Sequence, residues 1–226
     1  MVVRVRMVRH GETENNIARV MQGWCDSALT ELGVEQAHKV GKKLADVLFA
    51  AAYASDLPRQ QTTAKIILEE NRTGSVPELT IDWRFREIGC GSLEANDIDE
   101  TYKKVAKAMG LEGKTPKEIH ALHTRKEIYR FMRDADPKGL AETGEMCVQR
   151  VMDGLRDLAK SMEKEYPDRD STDALVVCSG SAMGLLLDEL DPEMRFSHVV
   201  HNADSIVTEI ENGTILLTEH DPLQDE

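Results

Sequence analysis

Aromatic residues are scarce in this 226-residue chain, only 4% of it, so its core has to be built from Val, Leu, Ile, Ala and Met. That composition fits a helix-rich globular protein. Long apolar runs are missing too: nothing is long enough to span a bilayer, and Arg4 and Arg6 break the one apolar stretch near the start. No signal-peptide pattern is present, which makes a cytoplasmic protein with no membrane partner the expectation. The four cysteines (Cys25, Cys90, Cys147, Cys178) are scattered without CxxC spacing, so reduced thiols are expected. Cys90 and Cys178 read as small buried fillers near the candidate pocket. Positive charge is in short supply, 28 Lys and Arg against 41 Asp and Glu, for a net −13. This argues against nucleic acid as the main partner, yet a basic pocket can sit inside an acidic shell. His120/His123 and His198/His201 are spaced three apart, but no Cys or carboxylate stands near them at zinc-site spacing. Neither a metal nor a cofactor is expected. Internal repeats and low-complexity segments are absent.

At this length one substantial core is expected, hence a single domain over 1–226 with a helical insertion at about 97–138. That insertion carries ten Lys or Arg and eight Asp or Glu, so the acidic excess lies elsewhere, much of it towards the C-terminal end. Strand and helix patterns alternate, which predicts a three-layer α/β architecture. Its central sheet is mainly parallel with helices on both faces, a helical lid insertion and a C-terminal β-hairpin. Strands are expected at Val2–Val8, ending at Tyr53–Ser55, at Leu79–Asp82 and at Ala174–Cys178. Helical periodicity covers Leu32–Leu48, and a second helix runs to about Glu70 with Asp56 as N-cap and Pro58 in its first turn. Further helices are expected at Asp97–Met109, from the Thr115-Pro116-Lys117-Glu118 capping box to about Arg133, at Glu145–Tyr166 and at Gly180–Leu190. Asn212-Gly213 between two β-patterned runs signals a type I′ hairpin.

The chemistry begins at the end of the first strand, with Val8-Arg9-His10-Gly11-Glu12-Thr13. Adjacent arginine and histidine at a strand's C-terminal end suit an anionic ligand, because ligands of open α/β sheets bind at that edge. Arginine offers a fixed donor fork for phosphate, a neutral imidazole can act as nucleophile, and Gly11 is expected to let the backbone approach the ligand. Arg59, in the first turn of the next helix but one, can point over the same edge; taken alone, it reads as a solvated surface residue. The loop Arg86–Glu94 carries carboxyl groups, one of which could protonate a leaving alkoxide. Ser179-Gly180-Ser181 follows the late strand, where the N–H of Gly180 and the helix start could hold a phosphate oxygen. A serine-hydrolase elbow does not fit there, since Val177 stands where glycine is required.

Arg-His-Gly-Glu-Thr at 9–13, Gln22-Gly23 with Asp26, Leu29 and Thr30, Ser55-Asp56-Leu57 with Arg59, Arg86-Glu87 with Gly91, Leu93 and Glu94, and Gly144-Glu145 occur in one order along the chain. Together this set resembles the histidine phosphatase superfamily, phosphoglycerate mutase-like branch, over nearly the whole chain. The resemblance implies that His10 is phosphorylated and then hydrolysed, that Arg9 and Arg59 neutralise phosphoryl oxygens, and that Glu87 protonates the leaving group. It also implies that Asn16, Gln22 and Gly23 line the pocket. Phosphoryl transfer asks mainly for positioning and positive charge, so no metal is required.

One position departs from the pattern. The family carries a second histidine after the late strand, and here Ser179 holds that place. A serine brings no charge and is shorter; losing one such donor commonly costs about 10²–10³ in rate. Three readings are open: an active enzyme compensated by another group, for which His201 beside Asn202 is the candidate; a catalytically poor protein that binds phosphorylated ligands; or a serine introduced deliberately. The expected function is phosphomonoester hydrolysis, as in a histidine-type acid phosphatase, through phosphohistidine on His10, with activity weakened or altered. A poorly catalytic phosphate-ligand binder and a phosphoglycerate mutase are the alternatives. The segment Ile88–Glu94 looks like phosphatase-type members, lacking the aromatic–glycine run and lysine of the mutases. A small phosphorylated metabolite is the expected partner, with the chain a monomer or homodimer, and Lys103, Lys104, Lys107 and His123 are candidates for selecting it.

Overall fold

The computed structural model describes residues 1–193 and 200–221, so His198, and with it the second histidine pair, lies outside the described residues. Six strands form one sheet: β1 (Val2–Arg9), β2 (Phe49–Ala54), β3 (Leu79–Ile81), β4 (Ser171–Cys178), β5 (Ser205–Glu211) and β6 (Thr214–Asp221), in the order β3-β2-β4-β1-β5-β6. The first four are mutually parallel, and β5 and β6 run antiparallel at the far edge. β4 is apolar on both faces because it is covered on both. The architecture is the expected mainly parallel α/β sheet.

Eight helices surround it: α1 (Glu14–Ile17), α2 (Glu31–Lys43), α3 (Pro58–Glu69), α4 (Ile98–Ala108), α5 (Pro116–Leu122), α6 (Arg125–Ala135), α7 (Gly144–Glu165) and α8 (Gly180–Leu190). The pleat sorts side chains between two cores. Val8, Leu175 and Val177 meet α2 and α3, while Val3, Val5, Met7, Ala174, Val176 and Cys178 meet α7, α8 and the lid helices α4–α6. Arg4 and Arg6 are tolerated in β1 because each reaches a carboxylate on a neighbouring strand, Glu209 at 2.9 Å and Asp173 at 3.0 Å. The hairpin turn has positive φ at both Asn212 (51°) and Gly213 (78°), as a type I′ turn requires.

Three local expectations are corrected. α2 ends at Lys43 with Leu44 as its C-cap, so 45–48 lead into β2 rather than extend the helix. Asp56 is not the N-cap of α3: that position is Leu57, and the Asp56 carboxylate accepts instead from Arg86 Nε (2.7 Å) and Nη2 (2.5 Å). The helix expected from Thr115 to Arg133 is two helices. Thr124 and Glu127 form a second capping box just after the first helix, so the chain breaks at His123–Thr124.

Register brings the strand ends together. Arg9 pairs with Cys178 and Ala54 with Val177, so the loops leaving β1, β2 and β4 open from one edge of the sheet.

Candidate active site

His10 follows the last residue of β1, and its N–H donates to the Cys178 carbonyl at 3.1 Å. The ring is buried, with 4% exposure. Nδ1 lies 2.8 Å from the Gly11 carbonyl. A carbonyl can only accept, so Nδ1 carries the hydrogen and Nε2 keeps its lone pair. Burial, then the charges of Arg59 and Arg9, hold the imidazole well below its usual 6.5. The ring is neutral at physiological pH and carries a free nucleophilic nitrogen.

Gly11 allows a close approach within the protein itself. A Cβ there would lie 2.2 Å from the Gly33 carbonyl oxygen, and a Cβ on Gly33 would lie 2.0 Å from the Glu12 carbonyl oxygen. The two glycines let the loop after β1 rest on the N-terminus of α2, a close approach between backbones.

Both arginines converge on this ring. The Arg9 guanidinium lies against Gly180, where a Cβ would come within 3.0 Å of Nε, and its Nη1 donates to Val200 O at 2.7 Å. Arg59, 1% exposed and far from solvated, sits in the first turn of α3. Its Nη1 donates to Cys25 O (2.7 Å) and Asp26 (2.9 Å), and its Nη2 to Gly23 O (2.7 Å). Arg9 Nε and Arg59 Nε are both buried and have no hydrogen-bond partner among the described residues. An unanswered buried N–H is costly, and two of them beside a neutral imidazole form an electropositive cradle suited to an anion.

Glu87 completes the group. Its Oε1 accepts from the N–H of Ile88 (2.8 Å) and Ala182 (2.9 Å), and its Oε2 from Ser181 (2.9 Å). The Gly180 N–H and the start of α8 were expected to face phosphate; Gly180 lines the smaller cavity, while the Ser181 and Ala182 donors are spent on this carboxylate. What the sequence reading missed is the clamp behind it. Arg150 forms a two-pronged pair with Glu142 (2.8 and 2.7 Å) and donates to the carbonyls of Arg84, Arg86 and Glu87. Glu94 gathers the facing loop, accepting from the backbone N–H groups of Gly23, Trp24, Cys25 and Cys90 at 2.8–3.2 Å. Sequence carried no local signal for the Glu142–Arg150 pair.

Two adjoining cavities, about 310 and 260 Å³, share Arg9, Glu87, Tyr102, Tyr129 and Ser181 as walls. Asn16 and Gln22 line the larger one, as expected. Gly23 lines neither; its carbonyl anchors Arg59. His201 is exposed and lines neither, whereas its neighbour Asn202 donates to His10 O (3.2 Å) and Asn16 Oδ1 (3.1 Å). Lys103, Lys104, Lys107 and His123 also stay out of both cavities. The lid contributes Tyr102, Tyr129, His120 and Arg125 instead, with Tyr102 Oη 2.7 Å from His120 Nε2. The helical spacing of Tyr102, Val105 and Ala106, and of Ile128, Tyr129 and Met132, was the available signal for those buried faces. Cys90 lines the larger cavity and burial pushes its thiol up; burial pushes Cys178 up to about 12, so neither is a thiolate. Among the described residues, no group of three or more metal-ligating side chains comes together, and no helix is long and apolar enough to cross a membrane.

With this geometry established, comparison with known proteins is decisive. Residues 5–111 match the family model for the histidine phosphatase superfamily (branch 1). A probable phosphoglycerate mutase GpmB of Proteus mirabilis (strain HI4320) is 32% identical over 190 residues, 82% of this chain and 74% of the relative. The chain belongs to the histidine phosphatase superfamily. Among solved structures, the phosphoglycerate mutase of Bacillus anthracis str. Sterne superposes with a TM-score of 0.87 at 29% identity, covering 96% of this chain and 92% of that one. A phosphoserine phosphatase of Entamoeba histolytica, solved with 3-phosphoglyceric acid, shares the fold at a TM-score of 0.68 and 23% identity, with 98% of each chain covered. Proteins named as a mutase and as a phosphatase thus share this one architecture.

Proposed function

We propose that the chain is a phosphomonoester hydrolase working through a phosphohistidine on His10, slowed by the serine at position 179. One observation carries the reading: a buried neutral imidazole with its Nε2 lone pair available stands beside two buried guanidinium Nε–H groups that no described protein atom answers. A phosphoryl group answers both. In the first step Nε2 attacks phosphorus and the P–O bond to the alcohol breaks. The leaving oxygen takes its proton from the Glu87 carboxyl at Oε2, which has one backbone donor and room for a proton. In the second step water attacks the phosphohistidine, the P–N bond breaks, Glu87 takes the water's proton, and phosphate leaves. The Gly11 carbonyl, holding the Nδ1 hydrogen, stabilises the imidazolium formed between the steps. The substrate is a small phosphorylated metabolite, the chain acts in the cytoplasm, and neither step calls for a metal.

The experiment is turnover of an aryl phosphate with intact-mass detection of an acid-labile phosphoryl adduct. The expected result is one phosphoryl group on the protein, and loss of both adduct and turnover by about three orders of magnitude or more in His10→Ala. Equal rates in the two proteins overturn the reading. The names of the Proteus and Bacillus relatives favour a second reading, a mutase. It is recognised by phosphoryl exchange between glycerate esters with little phosphate released.

A further inference from the structure

A phosphate ester brings an alcohol into the site along with its phosphoryl group, and the walls around Glu87 select that alcohol. On the α3 side of His10 the site is closed. Gln60 and Ser179 are both fully buried, stand 2.5 Å apart between Nε2 and Oγ, and line neither cavity. The room lies on the lid side, where Glu87 lines both cavities. An ester oxygen that takes its proton from Glu87 therefore has its carbon skeleton in that room.

The larger cavity is walled by Val20, Ile98, Tyr102, Tyr129 and Met132, so most of the surface away from Arg9 and Glu87 is apolar or aromatic. Its polar side chains are occupied: Gln22 accepts from Thr13 Oγ1 at 2.7 Å and donates to Ser27 Oγ at 3.1 Å. Apart from Arg9, the basic groups lining the two cavities are answered within the protein. Arg19 donates to Asp99 at 2.6 Å, with the Asp97 carboxylate adding to the field around it. Arg125 in the smaller cavity donates to Asp188 at 2.6 Å. His120 lies 2.7 Å from Tyr102 Oη, and burial, then the charge of Arg125, holds its imidazole below the usual 6.5. A second anionic group on the substrate would have to compete with these carboxylates or lie unpaired against the apolar wall, which is costly.

We propose that the substrate is the phosphomonoester of an uncharged alcohol with an apolar body, its carbon skeleton lying along Val20, Ile98 and Met132 while its ester oxygen faces Glu87. This rests on the phosphoryl-transfer reading above and names the substrate class of that site. Val20 and Ile98, both half-buried, are specificity-determining residues: they meet the alcohol and take no part in the bonds made or broken. A glycerate ester, with its carboxylate, is a poor fit to the same room.

The test is calorimetric titration of the intact chain with inorganic phosphate and with ethyl-, butyl- and hexylphosphonate and 3-phosphonopropanoate, which resist hydrolysis. Hexylphosphonate is expected to bind about tenfold or more tighter than ethylphosphonate, since each buried methylene adds affinity. Butylphosphonate should bind about tenfold or more tighter than 3-phosphonopropanoate, which is of similar length and ends in a carboxylate. Val20→Asn and Ile98→Asn, each checked by a thermal melt, should cut the hexyl-to-ethyl ratio to about threefold or less. A smaller gain from ethyl to hexyl overturns the proposal. So does 3-phosphonopropanoate binding as tightly as butylphosphonate, or a hexyl-to-ethyl ratio that neither variant lowers. If one variant does not fold the other decides, and if neither folds the series on the unsubstituted chain decides. Binding of phosphate and ethylphosphonate without the gain to hexyl removes this inference alone; a chain that binds none of the five loses the phosphoryl-transfer reading as well.

Discussion

The strand-end site and the lid are held together by different means. Around His10, side chains clamp backbone: half-buried Glu94 gathers four N–H groups from two loops, and buried Arg150 with Glu142 fixes three carbonyls leading to Glu87. In the lid, α4, α5 and α6 are each started by their own cap, at Asp97, Thr115 and Thr124, and laced by exposed ion pairs such as Lys103–Glu100 and Lys114–Glu118. Exposed pairs of that kind contribute about 0–1 kcal/mol. The lid is tied down at its end by Asp136, which accepts from Ser92, Lys138, Leu140 and Ala141. Burial pushes that carboxyl up, but these donors outweigh it and hold it well below the carboxylate range. The contrast teaches that the geometry around His10 is fixed by contacts between residues far apart in sequence, while the lid's share of the cavity walls is carried on helices that each have their own cap. Such walls can change without disturbing the chemistry.

The sharpest way to break that comparison is Arg150→Met. It leaves Glu142 buried and unpaired, and the expected cost is about 3–5 kcal/mol in denaturant unfolding, with aryl phosphatase activity lost alongside. A variant that keeps full stability shows that the clamp does not hold the site. Next comes pH. The His10 imidazole is held below its ordinary 6.5, so as pH falls through that value the unfolded chain takes a proton that the folded chain refuses. Stability then falls by up to about 1.4 kcal/mol per pH unit, until the folded imidazole protonates too. His10→Ala should remove this component from unfolding curves between pH 7 and 5, and an identical slope in both proteins refutes it. The smallest effect belongs to the lid. Tyr102→Phe removes one hydroxyl from the cavity and from His120, and should cost no more than about 1 kcal/mol of stability. It should shift KM among phosphate esters of different alcohols while leaving the kcat for an aryl phosphate within a factor of a few. A collapse in kcat places the lid inside the reacting machinery and erases the contrast.

What could be read from sequence follows the same division. Features set within a few residues were legible: the apolar run of β1 ending in Arg9-His10, the doubly buried β4, the Asn212-Gly213 turn and the Thr115 capping box. The break between α5 and α6 was legible as well, because Thr124-Arg125-Lys126-Glu127 repeats the spacing of Thr115–Glu118. Read as one helix, the stretch lost that second start signal. Arg9, His10, Arg59 and Glu87 were found because their motifs are local, and the structure brings them together. The contacts that hold them were not legible, since Glu142–Arg150, Glu94 with Gly23–Cys25, and Gln60–Ser179 join residues whose proximity only the fold creates. Asp56 shows the same limit from the other side: a residue of capping type, placed where a cap was due, was claimed by Arg86 from 30 positions away.

The Gln60 amide limits which side chain position 179 can hold. With its Nε2 2.5 Å from Ser179 Oγ, it fills the room that an imidazole ring at position 179 needs. Ser179→His by itself should therefore lower the melting temperature and yield no gain in turnover, whereas the same change combined with Gln60→Ala should raise it. A larger side chain at position 179 thus calls for a smaller one at position 60, and that change removes the hydrogen bond that now joins α3 to the start of α8.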